Sequence, residues 1–293
     1  CGEHPGRRPI AIDRDFLNPA AMCGLPHFVR TAFAVVAIAT GCGTVSFAAE
    51  QVDVELVLAV DVSLSMSPGE LEIQRDGYAA ALRDKSVLDA IASGVNGRIA
   101  VTYFEWAGTT SHQLVVPWTT ISNREDAERV VARLTANPPA SARRTSISSA
   151  LEFGADLLAE SPYKSFKRVI DISGDGPNNQ GAPVNEMRDQ LVGQGIVING
   201  LPLMTNGGYS SSYDVADLDA YYTNCVIGGP GAFMIPVNAW EQFPEAIRRK
   251  LVLELASNPQ RDLPVVLAQA QEPYDCLVGE KIWRNRSWMW DSR

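Results

Sequence analysis

The chain has 293 residues, of which 46% are hydrophobic, and its formal net charge is −9. This length suits one large domain or two small ones, and the hydrophobic fraction is sufficient for a packed core. The acidic balance argues against nucleic acid as a partner, because sequence-independent binding to nucleic acid needs a basic face.

The first 49 residues have the pattern of a targeting segment rather than of a folded domain. Arg30 is followed by an apolar stretch over residues 32–39 and by the small residues Ala48 and Ala49. This order is typical of a secretory signal peptide, and the apolar stretch is too short to span a membrane. We therefore expect cleavage near Ala48 or Ala49, a periplasmic or secreted protein, and no transmembrane segment in the mature chain.

The start and the processing of this leader have alternatives. A signal peptide of normal length would begin at Met22, so we expect residues 1–21 to be upstream translation from a mis-assigned start. Residues 39–42, Ala-Thr-Gly-Cys, loosely resemble a lipobox. Lipid attachment at Cys42 is therefore a minor alternative to cleavage near Ala48.

The cysteine count agrees with export. Of the five cysteines, only Cys225 and Cys276 lie beyond the leader. An even pair in an oxidising compartment predicts one disulfide between them. Two unrelated buried thiols are the alternative.

The first element beyond the leader is a strand that ends in oxygen-bearing side chains. Residues 56–60 form a short apolar run, which is typical of a buried parallel strand. Asp61, Ser63 and Ser65 follow at alternate positions, where open α/β sheets bind ligands. One carboxylate and two hydroxyls are hard donors that suit Mg²⁺, Mn²⁺ or Ca²⁺. The alternative is a serine-rich turn that caps the next helix.

Helical and strand patterns then alternate along the chain. The sequence predicts, in order, a helix over 69–92, a strand over 98–105, an antiparallel edge strand over 112–117, helices over 123–134 and 145–160, a strand over 167–173, a helix over 184–194, a strand over 196–203, a short helix over 214–223, an edge strand over 232–237 and a helix over 239–256. This alternation predicts an α/β fold with a doubly wound, mostly parallel sheet flanked by helices and one antiparallel edge strand.

The predicted domain occupies residues 50–257. Residues 258–293 are expected to form a C-terminal tail, rich in aromatic and basic residues at its end. Hydrophobic periodicity does not decide between a tail that docks on the domain and one that is disordered.

Three predicted loops bring oxygen donors to one edge of the sheet. Thr145 opens a helix, and Asp175 lies in a Gly-Asp-Gly turn after a strand. Together with Asp61, Ser63 and Ser65, they offer two carboxylates and three hydroxyls without a nearby histidine or cysteine. This is the donor set of an octahedral hard cation that keeps some water.

The order D-x-S-x-S, then threonine at a helix start, then aspartate in Gly-Asp-Gly resembles the metal-ion-dependent adhesion site (MIDAS) of von Willebrand factor A (vWA) domains. The resemblance spans about residues 52–257. In that family the serines and threonine coordinate the cation directly or nearly so, and the aspartates do so directly or through water. The resemblance implies that the five side chains named above hold one divalent cation. Mg²⁺ is the first expectation, with Ca²⁺ and Mn²⁺ as alternatives.

Two further segments, ISGDGPNNQG at residues 172–181 and VIGGPGAF at residues 226–233, resemble an exported bacterial vWA subfamily of unknown function. The family resemblance implies a cation-dependent adhesion or interaction module. Its expected partner is an unidentified protein that presents an acidic side chain to the cation. The alternatives are a structural scaffold with a vestigial metal site and a metal-dependent hydrolase.

The sequence lacks the common patterns of a hydrolase or nucleotide-binding enzyme. It contains neither a G-x-S-x-G elbow nor a Walker A loop, and His112 is the one histidine beyond the leader. We therefore expect no catalytic residues and no enzymatic activity. The hydrolase alternative stays open because a bound cation can lower the pKa of water.

Overall fold

The computed structural model describes residues 49–205, 215–255 and 274–291, with side chains up to Asn285. The predicted leader lies outside these residues, together with the expected features at Met22, Cys42 and Ala48. Residues 258–273 of the predicted tail also lie outside them.

The described chain alternates between strands and helices. The strands are β1 Glu50–Asp61, β2 Ile99–Trp106, β3 His112–Ile121, β4 Tyr163–Gly174 and β5 Ile196–Pro202. The α-helices are α1 Pro68–Arg83, α2 Lys85–Ala92, α3 Arg124–Leu134, α4 Ile147–Ala159, α5 Val184–Gly193, α6 Leu218–Tyr221, α7 Phe243–Leu255 and α8 Val278–Asp291. A π-helical turn, Tyr222–Val226, continues α6, and a 3₁₀ turn, Trp240–Gln242, precedes α7.

The five strands form one sheet in the order β3-β2-β1-β4-β5. The β1 strand pairs in parallel with β2 and β4, and β4 pairs in parallel with β5. The edge strand β3 pairs antiparallel with β2. This arrangement confirms the predicted mostly parallel sheet with an antiparallel edge strand.

Helices cover both faces of the sheet. Successive strand residues point to opposite sides, so each central strand contributes apolar side chains to both faces. Along β1, Leu56 and Leu58 contact the apolar cluster under α1, α2, α3 and α7, while Val57 and Ala59 contact the cluster under α4, α5 and α6. Every residue of β2 is buried. The central strands therefore have fixed positions, and the loops at their carboxyl ends start from a rigid base.

One predicted helix is two helices in the structure. The pattern over residues 69–92 predicted a single helix, but α1 ends at Arg83 and α2 begins at Lys85. The intervening Asp84 is extended, with ψ of 138°, and its carboxylate accepts a hydrogen bond from the Ser86 amide at 2.8 Å. The prediction was wrong because a short aspartate side chain caps a new helix more readily than it continues an old one.

The predicted edge strand over residues 232–237 does not join the sheet as a continuous strand. The segment makes two isolated parallel bridges, Gly200 with Met234 and Leu203 with Val237. Pro236 lies between the two bridging residues of the segment and has no amide hydrogen to donate. The pairing along β5 is therefore interrupted, and the prediction of a strand was wrong.

The end of the chain contains a helix that is joined covalently to the domain. The helix α8 lies within the predicted tail, and Cys276, just before it, forms a disulfide with Cys225. Cys225 is fully buried in the cluster under α4, α5 and α6. The disulfide predicted from the cysteine count is thus present. A disulfide is consistent with an extracytoplasmic location.

None of the helices in the described parts of the chain has both the length and the apolar character that a membrane span requires.

A buried ion cluster joins β4 to α7. Lys250 Nζ lies 2.8 Å from Asp171 Oδ1 and 2.6 Å from Glu254 Oε1. Asn199 Nδ2 donates a hydrogen bond to the same Glu254 oxygen at 2.8 Å. Two carboxylates therefore share one ammonium group. Burial, and then the charge of Glu254, raise the pKa of Asp171 to about 7, against the opposing effect of Lys250.

The disulfide should contribute strongly to stability. Cys225 and Cys276 are separated by 51 residues, and for a loop of that length the chain-entropy model gives about 4 kcal/mol. We expect the double variant Cys225→Ser/Cys276→Ser to lose roughly this amount in free energy of unfolding, measured by urea denaturation. The wild-type protein in a strong reductant should lose a similar amount. An unchanged free energy in both cases would contradict this role.

The ion cluster predicts a pH dependence. Asp171 has a pKa of about 7 in the folded protein and an ordinary value of 3.8. Between these values the folded protein binds the proton more tightly than the unfolded chain does. The contribution of Asp171 to the free energy of unfolding therefore falls as the pH rises from about 4 to about 7. The neutral variant Asp171→Asn should gain stability relative to wild type over this interval, measured by urea denaturation in chelator. If the difference in free energy of unfolding between the two proteins stayed constant over this pH interval, the proposed titration of Asp171 would be contradicted.

Candidate metal centre

The first loop of the candidate centre begins at the carboxyl end of the central strand. Asp61 is the last residue of β1 and is fully buried. The backbone N–H of Ser63 donates a hydrogen bond to Asp61 Oδ1 at 2.7 Å. This local bond turns the chain directly after the strand and holds the carboxylate at the edge of the sheet.

The second carboxylate comes from the neighbouring parallel strand. Asp175 directly follows β4, which pairs with β1, so both carboxylates lie at the same edge of the sheet. Ser65 Oγ donates a hydrogen bond to Asp175 Oδ1 at 2.8 Å, and the hydroxyls of Ser63 and Ser65 are 2.8 Å apart. A continuous chain of hydrogen bonds thus joins Asp61, Ser63, Ser65 and Asp175.

Thr145 is connected to the third loop through the backbone. It is buried and lies just before α4, whose N-cap is Ser146. The Thr145 amide donates to Asn179 Oδ1 at 3.1 Å, and the Asn179 amide donates to the Thr145 carbonyl at 2.9 Å. Asn179 follows Asp175 by four residues. This pair of hydrogen bonds fixes the second loop against the third.

The first and second loops are joined in the same way. The amide of Leu64 donates to the Ala142 carbonyl at 3.0 Å, and the amide of Ala142 donates to the Val62 carbonyl at 3.1 Å. The three loops are therefore connected in pairs, first to second and second to third. All five predicted site residues lie on this connected set of loops.

The buried carboxylate of Asp61 carries an electrostatic cost. Burial is the largest cause that raises the pKa of Asp61 well above its ordinary value, and the negative charge of Asp175 raises it further. Hydrogen bonds to the carboxylate from Ser63 and from the backbone of Asp175 oppose both effects. Asp61 Oδ2 is buried and has no hydrogen-bond partner among the described residues. Burying a carboxylate oxygen without a hydrogen-bond partner costs on the order of several kcal/mol in free energy of folding.

The backbone close to this oxygen leaves little space for a side chain. A Cβ atom added at Gly174 would lie 2.9 Å from Asp61 Oδ2 and 3.0 Å from the hydroxyl of Tyr222. The glycine of the Gly-Asp-Gly turn is thus required for the close approach of β4 to Asp61. This requirement is visible only in the folded chain.

The donor set fits a hard divalent cation. Two carboxylates and two serine hydroxyls converge at one edge of the sheet, and Asp61 Oδ2 has no hydrogen-bond partner at normal distance among the described residues. Among the described residues there is no group of three or more histidine, cysteine, aspartate or glutamate side chains that could hold a metal. The candidate donors of the centre are carboxylate and hydroxyl oxygens.

The sequence did not point to Asn178 and Asn179 as site-supporting residues. Their segment predicted only a turn without helical potential. In the structure Asn178 is fully buried. Its side-chain oxygen accepts a hydrogen bond from the backbone amide of Ser148 at 3.1 Å, and its backbone amide donates to the Tyr221 hydroxyl at 3.1 Å. The sequence shows only two adjacent asparagines shortly after Asp175. It does not indicate which distant residues they contact.

A family profile described as "Protein of unknown function (DUF1194)" matches residues 51–259, which is more than half of the chain. No curated protein sequence matches the chain.

Solved structures of several proteins are similar to this one. Proximal thread matrix protein 1 from the mussel byssus is 15% identical, with coverage of 71% of this chain and 49% of that chain and a TM-score of 0.51. The pilus adhesin SpaC from Lactobacillus rhamnosus GG is 12% identical, with coverage of 70% and 31% and a TM-score of 0.51. A von Willebrand factor type A protein from Catenulispora acidiphila is 11% identical, with coverage of 69% and 42% and a TM-score of 0.45. The chain thus spans half or less of each of these proteins, and at these identities the likeness concerns the fold alone.

The support of the loops by Asn178 can be tested by its removal. We expect Asn178→Ala to lower the free energy of unfolding by about 1–3 kcal/mol, because the buried Ser148 amide loses its acceptor. Urea denaturation in chelator measures this change. Asn224→Ala is a matched control, because Asn224 is exposed and its side chain donates to the Ala220 carbonyl on the same helical segment. Equal effects of the two substitutions would contradict a special role for Asn178.

Proposed function

Since the chain belongs to the family described as Protein of unknown function (DUF1194) and carries a D-x-S-x-S, threonine and Gly-Asp-Gly pattern that resembles a von Willebrand factor A domain, we propose that it is a divalent-cation-dependent protein-binding module. The module acts outside the cytoplasm and binds its partner without chemical conversion.

One observation carries this proposal: a fully buried carboxylate, Asp61, has an unpartnered oxygen beside a second carboxylate. The buried Asp171 on the neighbouring strand forms an ion pair with Lys250. Asp61 has no such pair with a lysine or arginine in the described parts of the chain. A positive charge supplied from outside the chain would offset this difference.

Asp61, Ser63, Ser65, Thr145 and Asp175 are the residues that would hold the cation. Mg²⁺ is the proposed ion, and Ca²⁺ and Mn²⁺ share its preference for oxygen donors. When bound, the cation supplies a Lewis-acidic point of attachment for a carboxylate of a partner protein. The protein's own contribution is to hold the donors in place through the connected loops and to keep Asp61 away from water.

The surface beside the donors supports a protein partner. Leu64, between the two serines of the first loop, is 57% exposed. Arg143 is exposed on the second loop, two residues before Thr145. An apolar side chain and a guanidinium group beside the proposed cation suit a partner that presents an acidic residue next to apolar surface.

A serine–histidine contact in the structure does not favour the hydrolase alternative. Ser149 Oγ lies 3.2 Å from His112 Nε2, but the Ser149 hydroxyl donates its proton to the Thr109 carbonyl at 3.1 Å. The Ser149 hydroxyl therefore has a backbone acceptor besides the histidine. His112 also stacks on Phe153, with ring centroids 4.9 Å apart, which accounts for its position. Packing of the ring on Phe153 gives His112 a structural role that does not depend on catalysis.

Export is supported by two independent features. The disulfide between Cys225 and Cys276 is typical of proteins in oxidising compartments. The predicted signal peptide, with cleavage near Ala48 or Ala49, leads to the same compartment. We propose a periplasmic or secreted location, with lipid attachment at Cys42 as the minor alternative. The N-terminus of the exported protein, determined by mass spectrometry, distinguishes the two.

Cation-dependent stability is the direct test of the centre. Wild type should unfold at a higher urea concentration in millimolar Mg²⁺, Ca²⁺ or Mn²⁺ than in chelator. The gain is about 2.7 kcal/mol when the ion is present at 100 times its Kd. Asp61→Ala and Asp175→Ala should remove this gain, since each deletes a carboxylate ligand. Asp89→Ala is the charge-matched control, because Asp89 is an exposed residue of α2 that pairs with Lys85.

The proposal would be refuted if wild type and both site variants showed the same cation dependence. If wild type showed no gain in any of the three cations, the scaffold with a vestigial site would replace the proposed function. A wild-type gain that the site variants lack establishes the centre. Capture of proteins from a periplasmic extract, with elution by chelator and Asp61→Ala as the bait control, then tests binding. Bands common to both baits would count against a cation-bridged partner.

A further inference from the structure

The C-terminal helix α8 packs on the third loop of the candidate centre. A Cβ atom added at Gly279 would lie 2.1 Å from the carbonyl oxygen of Asn178 and 3.0 Å from the Pro177 ring. The backbone of α8 therefore touches the loop directly, at a position that only glycine allows. Pro177 and Asn178 follow Asp175 by two and three residues.

A side chain of α8 extends this contact. Asn178 Nδ2 donates a hydrogen bond to Glu280 Oε1 at 2.7 Å. Asn178 is the same residue that accepts from the Ser148 amide in the first turn of α4. Through one buried asparagine, α8 is therefore coupled to the loop after β4 and to the helix that begins after Thr145.

A second side chain of α8 contacts the other loop. The guanidinium carbon of Arg144 lies 3.4 Å from the centroid of the Trp283 ring, which is a cation–π contact. Arg144 has φ of 79°, the left-handed region that a residue with a side chain adopts only at a cost. Thr145 follows immediately. The contact with Trp283 thus helps to hold the backbone next to a proposed ligand in an unfavourable conformation.

Other residues of the same segment anchor it to the domain. Cys276 is bonded to the buried Cys225, and Val278 packs against the apolar cluster under α4, α5 and α6. The Tyr274 ring meets the Tyr221 ring edge-on at 6.1 Å. The segment therefore has an anchoring part and a part that contacts the loops.

From these contacts we propose that α8 is a disulfide-tethered clamp, and that Glu280 and Trp283 are positioning residues that hold Thr145 and Asp175 in place for the cation. This inference rests on the proposed cation-binding function, which it deepens by assigning a role to the end of the chain. The clamp acts on two loops at once, Glu280 through Asn178 on the third loop and Trp283 through Arg144 on the second.

The test measures the Kd for Mn²⁺ and for Mg²⁺ by isothermal titration of the full chain. Trp283→Ala should raise the Kd about threefold or more, because the cation–π contact is lost, and Trp283→Phe should restore part of the affinity. Glu280→Ala should also raise the Kd, whereas Glu280→Gln keeps an oxygen acceptor for Asn178 and should bind nearly as wild type does. Lys281→Ala is the matched control on α8, because Lys281 is exposed and pairs with the exposed Asp275.

The role of the tether is tested by combination. Cys225→Ser/Cys276→Ser should raise the Kd in the same direction, because α8 is no longer held. Adding Trp283→Ala to this double variant should then have a smaller effect than Trp283→Ala alone, since both changes act through one clamp. Rescue by the conservative variants and this non-additivity would not arise from general destabilisation. Additive effects, or no rescue, would overturn the clamp.

The clamp and the proposed function fail in different ways. If wild type binds the cation, Asp61→Ala does not, and the α8 variants bind as tightly as wild type, the clamp is overturned and the cation centre stands. If wild type binds no cation, the proposed function fails. Hydrogen exchange of residues 144–148 and 175–180 in chelator then decides on the clamp. Faster exchange in Trp283→Ala than in Lys281→Ala supports it, and equal exchange overturns it.

Discussion

The pairing of β1 with β4 is the constraint on which the rest of the structure depends. The two strands are parallel and adjacent, so the residues at their carboxyl ends lie side by side. The pairing therefore brings the carboxylates of Asp61 and Asp175 to one edge of the sheet. Burial and mutual repulsion both disfavour the charged form of Asp61. The serine hydroxyls and Gly174 are arranged around this unfavourable pair and make its close approach possible.

Two buried carboxylates on the neighbouring strands β1 and β4 have different electrostatic surroundings. Asp171 lies on β4 and forms an ion pair with the ammonium group of Lys250 from α7. Asp61 lies at the end of β1, where Gln74 donates to its backbone carbonyl rather than to its carboxylate. Lys250 offsets part of the unfavourable effect of burying Asp171, and the described residues place no lysine or arginine against Asp61. This contrast between the two carboxylates is the electrostatic basis of the proposal that Asp61 takes part in binding a cation.

The sequence predicts those parts of the structure that depend on local pattern. Apolar runs predicted the buried strands, and the alternate spacing of Asp61, Ser63 and Ser65 predicted a first loop that the structure joins by hydrogen bonds. The break at Asp84 and the interrupted pairing around Pro236 were missed because capping and missing amide hydrogens compete with periodicity over one or two residues. Both are errors of local competition over one or two residues.

The support of the candidate centre depends on contacts between distant parts of the sequence and could not be predicted in this way. Asn178 contacts Ser148, Tyr221 and Glu280, which are separated from it by 30, 43 and 102 residues. No periodicity relates such positions, and a turn-forming sequence gives no sign that its asparagine will be buried. The hydroxyl and carboxylate donors are short side chains on loops, which are flexible unless other elements hold them. The residues that connect these loops, such as the buried Asn178, therefore have weaker sequence signals than the candidate donors themselves.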